Sequence, residues 1–265
     1  MLETVNILKG STFVTSDRHG DIEGTPTSPH GLFALDTRFL SLWKLTLGDT
    51  ALSVLSTDEQ AYFSAQFFLA PSTGTTYVDS PMSVLRRRWV ENGMIEQIAV
   101  VNHTPEERDV HLHLDFAADF ADLFEVKDAL QKKGSLYSSV DGDKVVLGYV
   151  REEFRRETHI QVQAEGAQIS AEAIDFDIKL APGGTWLGEF RVEPKAIGMP
   201  ESSMNMASLE QLQQRAKTFR DEAPRVTCDW RPLERAYEKS IEDLDALRLD
   251  LGTVGGGMIP AAGLP

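Results

Sequence analysis

From Phe39 onward the side chains alternate in character. Phe39, Ser41, Trp43, Leu45 and Leu47 occupy the odd positions, and the polar Lys44 and Thr46 stand between them. A period of two fits an extended chain with one face buried and does not fit a helix, whose apolar positions recur every three or four residues. The pattern predicts one long half-buried strand within 31–48, with Asp36-Thr37-Arg38 where it begins and the polar run Ser16-Asp17-Arg18-His19-Gly20-Asp21 just upstream. Such a strand anchors a sheet and holds the charged loop at its mouth, which is the first candidate for a functional surface.

The same period recurs for the first three quarters of the chain. Ser11–Thr15, Ala51–Leu55, Tyr62–Leu69, Met82–Val90, Met94–Asn102 and Arg108–Phe116 read as strands. Turn signals separate them at Gly48-Asp49, Asn92-Gly93, Asp141-Gly142-Asp143 and Pro182-Gly183-Gly184. Asn-Gly between two alternating runs is the strongest short hairpin signal. About a dozen strands joined by short turns, without strand–helix alternation, predict antiparallel sheets packed as a sandwich.

After Pro194 the pattern changes. Residues 195–205 read as a linker, and Ser208-Leu-Glu-Gln211 has the form of a capping box that opens a helix running to about Glu222. Pro232, tolerated in a first turn, begins a second helix that runs to Leu251. Its apolar positions Leu233, Ala236, Tyr237, Ile241, Leu244 and Leu247 follow helical spacing. The expected organisation is therefore a β-sandwich over 1–194, a linker and helix over 195–229, and a last helix and loop over 230–265. The apolar, glycine-rich tail 252–265 reads as a loop that continues into something else.

Charge and cysteine content narrow the partners. A net charge of −15 argues against nucleic acid or an anionic membrane held through bulk electrostatics. Cys228 is the single cysteine, so no intrachain disulfide is possible. The first residues lack the basic start and apolar core of a signal peptide, and no apolar run approaches a membrane span, which makes the cytoplasm the default location.

Four constellations bear on chemistry. Phe116, Phe120 and Phe124 recur every four residues, with Asp115, Asp119, Asp122 and Glu125 between them. This is either an acid and base pair for glycoside hydrolysis or an amphipathic turn with Phe inside and a solvated acidic face; the second is favoured. His111 and His113 share a strand face at a spacing that can hold zinc, yet an outward polar face explains them too, and no metal is expected. Arg86, Arg87 and Arg88 cannot all face one way, so at least one pairs with a carboxylate. Gly255-Gly256-Gly257 follows a helix and reads as a connector, not a phosphate cradle. No nucleophile elbow or catalytic triad is recognisable. Neither a catalytic residue nor a cofactor is expected from this chain.

Order and spacing of motifs add a resemblance. Leu8-Lys9-Gly10-Ser11-Thr12-Phe13, then Ser16 to Ile22, then His30-Gly31-Leu32-Phe33 with Asp36 to Ser41, and finally Asp115 to Val126, come in a familiar succession. Together they resemble the N-terminal domain of bacterial glycogen-debranching-enzyme-like proteins of the amylo-α-1,6-glucosidase type. The resemblance covers roughly Leu8 to Leu264. It implies a supersandwich-like β domain that precedes an (α/α)6-barrel glycosidase domain, with the helix from Pro232 resembling the barrel's first helix.

In such proteins the catalytic carboxylates lie in the barrel, beyond the point reached here. The resemblance therefore implies an N-terminal fragment or a separated half, non-catalytic, whose partner is the barrel in the same or another chain. The substrate would be an α-glucan. Asp17, Arg18, Asp36 and Arg38 of the charged loop, with Asp119 and Asp122 of the acidic turn, are the candidates for a cleft border or domain interface. Two other readings stand beside it. A free-standing carbohydrate-binding module would stack sugars on Trp43, Trp89, Trp186 or Trp230. A complete small hydrolase would use two of Asp115, Asp119, Asp122 and Glu125.

Overall fold

The computed structural model describes residues 4–25, 28–48, 50–72, 80–128, 133–198, 209–250 and 258–260. The expected connector at Gly255–Gly257, the Ser208 cap and most of the 195–205 linker lie outside these residues. The strands are β1 (Val5–Lys9), β2 (Thr12–Ser16), β3 (Ile22–Glu23), β4 (Gly31–Ala34), β5 (Thr37–Leu40), β6 (Leu42–Leu47), β7 (Leu52–Ala61), β8 (Ser64–Pro71), β9 (Met82–Val90), β10 (Met94–Asn102) and β11 (Arg108–Ala117). A short helix α1 (Leu123–Asp128) precedes β12 (Ser135–Asp141), β13 (Lys144–Arg151), β14 (Phe154–Gln163), β15 (Gln168–Ile169), β16 (Ala173–Leu180) and β17 (Thr185–Ile197). Helices α2 (Leu209–Glu222) and α3 (Arg231–Ala246) follow, then the ribbon β18 (Arg248–Asp250) and β19 (Met258–Pro260).

The architecture is an antiparallel β-sandwich followed by helices. Its larger sheet runs β12-β13-β14-β17-β10-β9-β8-β7 and its smaller one β15-β16-β11-β6-β3. Period-two alternation places Leu112, Leu114 and Phe116 of β11 on the inner face of the smaller sheet, and Ile98 and Val100 of β10 on that of the larger. Aromatic edges join the two layers: Trp43 and Phe176 both meet Phe190 edge-on, at 5.8 and 6.1 Å between centroids. A third sheet, β1-β2-β4-β5, contributes Ile7, Val14, Leu32 and Phe39 to the same core.

The strand expected across 31–48 is three strands in two sheets. Leu35 and Asp36 both take left-handed backbone angles, φ 47° and 59°, and turn β4 tightly into β5. At Ser41 the chain leaves that sheet: its N–H donates to Ala117 O, and β6 pairs with β11. Phe39 and Leu40, adjacent and both fully buried, mark where the alternation fails. Trp43, Leu45 and Leu47 then keep it through β6.

The last helix is also shorter than expected. It ends at Ala246 instead of Leu251, because Arg248–Asp250 pairs antiparallel with Met258–Pro260. α3 rests on α2 through Arg220 and Glu242, and on the sandwich through Tyr62 Oη, which donates to Asp245 Oδ2 at 2.9 Å. Trp230 is 62% exposed, and Leu233 and Leu244 are about half exposed. Among the described residues no helix is long and apolar enough to cross a membrane.

Candidate functional site

The loop between β2 and β3 is shaped by one side chain. Asp17 Oδ1 accepts the backbone N–H groups of His19 and Asp21, each at 2.8 Å, and Oδ2 lies 3.0 Å from His19 Nδ1. A short carboxylate that gathers nearby amides is the usual reason for Asp at such a turn. Gly20, at φ +83°, brings its backbone against Phe67, where a Cβ would stand 2.9 Å from the ring. The loop therefore needs both Asp17 and Gly20.

Beneath it lies a dry charge network. Arg86 and Arg88 alternate onto the inner face of β9, and Glu96 stands directly across from Arg88 on β10. Their exposures are 0%, 1% and 0%. Glu96 Oε1 takes Arg86 Nε, while Oε2 takes Arg88 Nε and Trp43 Nε1, each at 2.9 Å. The arginines then reach up to the loop: Arg86 donates to His19 O and to Asp21, and Arg88 donates to Gly20 O. Asp21 also accepts Leu45 N–H. Burial pushes the Glu96 carboxyl up, but the two guanidiniums outweigh it and hold it below the ordinary carboxylate range. Two guanidiniums and two carboxylates balance in charge, which favours the ionised state, while Arg86 Nη2 and Arg88 Nη1 are buried without a hydrogen-bond partner.

A second junction, at the opposite end of β2 and β4 from the Asp17 loop, joins the β4–β5 turn to the acidic turn after β11. Arg38, almost fully buried, grips Asp119 with two parallel N–H groups, Nε to Oδ1 at 3.0 Å and Nη2 to Oδ2, and donates Nη1 to His30 O at 3.3 Å. Room for its guanidinium exists because positions 24 and 31 are glycine: a Cβ at Gly24 would stand 2.7 Å from Nη1, and one at Gly31 2.6 Å from Cδ. Arg38 N–H also donates to Ala121 O, and Leu123 N–H donates to Asp36 O. Beside this junction His30 is buried with neither ring nitrogen hydrogen-bonded, and burial lowers its pKa.

The candidates thus have separate roles. Asp17 builds its own loop. Arg18 is exposed there, and its carbonyl accepts Thr57 Oγ1 at 2.9 Å. Asp36 is exposed at the tip of the β4–β5 turn. Asp122 caps α1: its Oδ1 accepts the N–H groups of Phe124 and Glu125, and Glu125 returns the bond to Asp122 N–H. Asp115 lies 3.0 Å from His113. All four carboxylates of the acidic turn therefore accept from a guanidinium, an imidazole or a backbone N–H at a helix end.

The aromatic repeat does not form one inward face. Phe116 and Phe120 are buried, but Phe124 is 74% exposed. Phe120 reaches the core only through a left-handed backbone, φ 52°, which breaks the period of four. Of the tryptophans offered for sugar stacking, Trp43 is fully buried, Trp186 packs edge-on to Phe176, and Trp230 is exposed. Glu96, Asp21 and His30 are the residues that sequence reasoning missed. The signal for Glu96 was partial: a two-residue turn at Asn92-Gly93 would set 89 opposite 96, whereas the observed three-residue connection 91–93 sets 88 there.

A β-sandwich with a charged loop pinned from beneath by buried arginines and with a helical extension is the class of domain that this fold and site define. The sequence over residues 7–191 matches the N-terminal domain of some glycogen debranching enzymes, and the chain belongs to that family. A comparison with curated proteins finds no match. Among solved structures, a kojibiose phosphorylase-like protein from the human microbiome aligns with a TM-score of 0.48 and 8% identity, covering 92% of this chain and 36% of its own. This chain thus spans little more than a third of that protein's length. A galactose mutarotase related enzyme from Lactobacillus acidophilus aligns with a TM-score of 0.40 and 11% identity, covering 78% of this chain and 100% of its own.

Proposed function

We propose that this chain is the non-catalytic N-terminal sandwich of a debranching-type glycoside hydrolase acting on α-glucosidic linkages. It packs against an (α/α)6 barrel, carried by the same or another chain, and borders the barrel's substrate cleft. The observation that carries the reading is the family match over 7–191. Two features support it. The exposed apolar side chains of Trp230, Leu233 and Leu244 suit a further helical layer. The loop carrying Arg18 is backed by the buried network, and the turn carrying Asp36, at the opposite end of β2 and β4, by the Arg38–Asp119 clamp, so each can present polar groups without moving. A cytoplasmic location is part of the proposal.

The test has two arms. Incubated with maltooligosaccharides and a branched α-glucan, the chain by itself releases no glucose; release that disappears in Asp119→Asn would overturn the non-catalytic reading. In a protein that joins the chain to its barrel, Arg18→Ala lowers kcat/KM on α-glucan at unchanged melting temperature. If Arg18→Ala and Asp36→Ala both leave turnover untouched, neither the β2–β3 loop nor the β4–β5 turn borders the cleft.

A further inference from the structure

The outward face of the smaller sheet carries a second cluster that the function above does not use. His111, His113 and Asp115 alternate along β11, and Asp177 and Asp175 of β16 stand directly across from His111 and His113. His111 Nε2 and His113 Nδ1 approach the same oxygen, Asp175 Oδ1, at 3.3 and 2.6 Å. One donor atom from each of the three residues lies within 4.8 Å of the other two.

Tetrahedral zinc, with bonds of about 2.0–2.1 Å to nitrogen and oxygen, sets neighbouring ligand atoms about 3.3 Å apart. The His111–Asp175 separation already has that length. The His113–Asp175 contact needs to open by less than about 1 Å, a small side-chain rotation at a half-exposed surface.

An independent feature points the same way. The other nitrogen of each imidazole meets a separate carboxylate: His111 Nδ1 lies 2.9 Å from Asp177 Oδ1, and His113 Nε2 lies 3.0 Å from Asp115 Oδ1. Asp177 is itself held by Gln168 Nε2 at 3.1 Å. Histidine ligands are commonly oriented by such outer carboxylates, which fix the tautomer and raise ligand basicity. A plain ladder of surface ion pairs requires neither a shared oxygen nor a carboxylate behind each ring. Three carboxylates around two imidazoles also give the patch the negative potential that draws a cation.

We propose that His111 Nε2, His113 Nδ1 and Asp175 form a binding site for a divalent transition-metal ion such as zinc. Asp177 and Asp115 are its outer carboxylates, and the solvent side is open to water as a fourth ligand. The ion would tie β11 to β16 from outside the sandwich.

The test is calorimetry of the full chain, stripped with chelator, against zinc chloride. The expected result is one equivalent bound, at least tenfold weaker in His113→Gln and in Asp175→Asn. Asp177→Asn, which leaves all three ligands in place, weakens binding by about 10–100-fold. His103→Gln, at a histidine outside the cluster, leaves binding unchanged. Cobalt(II) gives the visible absorption of tetrahedral coordination with the wild type and not with His113→Gln. Circular dichroism establishes that each variant is folded, as expected for substitutions on an outer face. Zinc affinity that is equal in wild type, His113→Gln and Asp175→Asn, or no stoichiometric binding by the wild type, overturns the proposal.

Discussion

Two clusters of alternating charge are built on strands in the same way, and their surroundings give them opposite properties. Inside the sandwich, Arg86, Arg88 and Glu96 face each other across the β9–β10 hairpin with no solvent. Outside it, His111, His113, Asp175 and Asp177 face each other across β11 and β16 in contact with water. Buried charges cannot be left single, because the cost of an unpaired one is several kcal/mol. Exposed pairs contribute little, because water and salt screen them. The inner cluster is thereby committed to the fold, whereas the outer one can exchange its partners for a ligand.

The largest expected effect comes from breaking the inner cluster. Glu96→Gln leaves two buried guanidiniums sharing only Asp21, and should cost about 3–5 kcal/mol in urea unfolding. The same carboxylate sets an acid dependence. Its folded pKa is depressed, so the unfolded chain takes up a proton first. The stability it contributes is complete above the ordinary carboxylate pKa and is lost as pH falls through the folded value. In Glu96→Gln that part of the acid slope should be absent; an unchanged slope would show that Glu96 is not held ionised by its neighbours.

An intermediate effect sharpens the contrast. Arg38 is buried while Asp119 is partly exposed, so their clamp lies between the two extremes. Asp119→Asn should cost about 1.5–3 kcal/mol, the range of hydrogen bonds to charged groups. A loss as large as that of Glu96→Gln would mean that exposure of one partner does not matter.

These ranks show why only part of the molecule was legible in the sequence. The β9–β10 hairpin was legible because Asn92-Gly93 punctuates two alternating runs. The break at Leu35-Asp36 was not, since no Gly or Pro punctuates 32–47 and only the backbone angles turn the chain. Leu247 continues the helical spacing of α3, and nothing local shows that Arg248 has left the helix to pair near Ile259. The Arg38–Asp119 clamp joins residues 81 positions apart. Spacing rules do not reach that far, although Gly24 and Gly31 hold its space open. The pairing of an inner arginine was readable from alternation, while the choice of Glu96 needed the strand register.

The smallest effect belongs to the outer cluster. In metal-free protein Asp177→Asn should leave the urea-unfolding midpoint essentially unchanged. A large drop in that midpoint would remove the contrast, because the outer pairs would then be structural as well.

Through Arg86 and Arg88 the inner charge network holds the loop of Asp17–Asp21 in one shape. Native-state hydrogen exchange of the wild-type chain tests this most directly. The amides of His19 and Asp21, donated to Asp17 above the network, should exchange no faster than core amides of β10 such as Ile98, opening only with the whole sandwich. If the two loop amides exchange orders of magnitude faster than Ile98, the loop opens by itself and the network does not fix it.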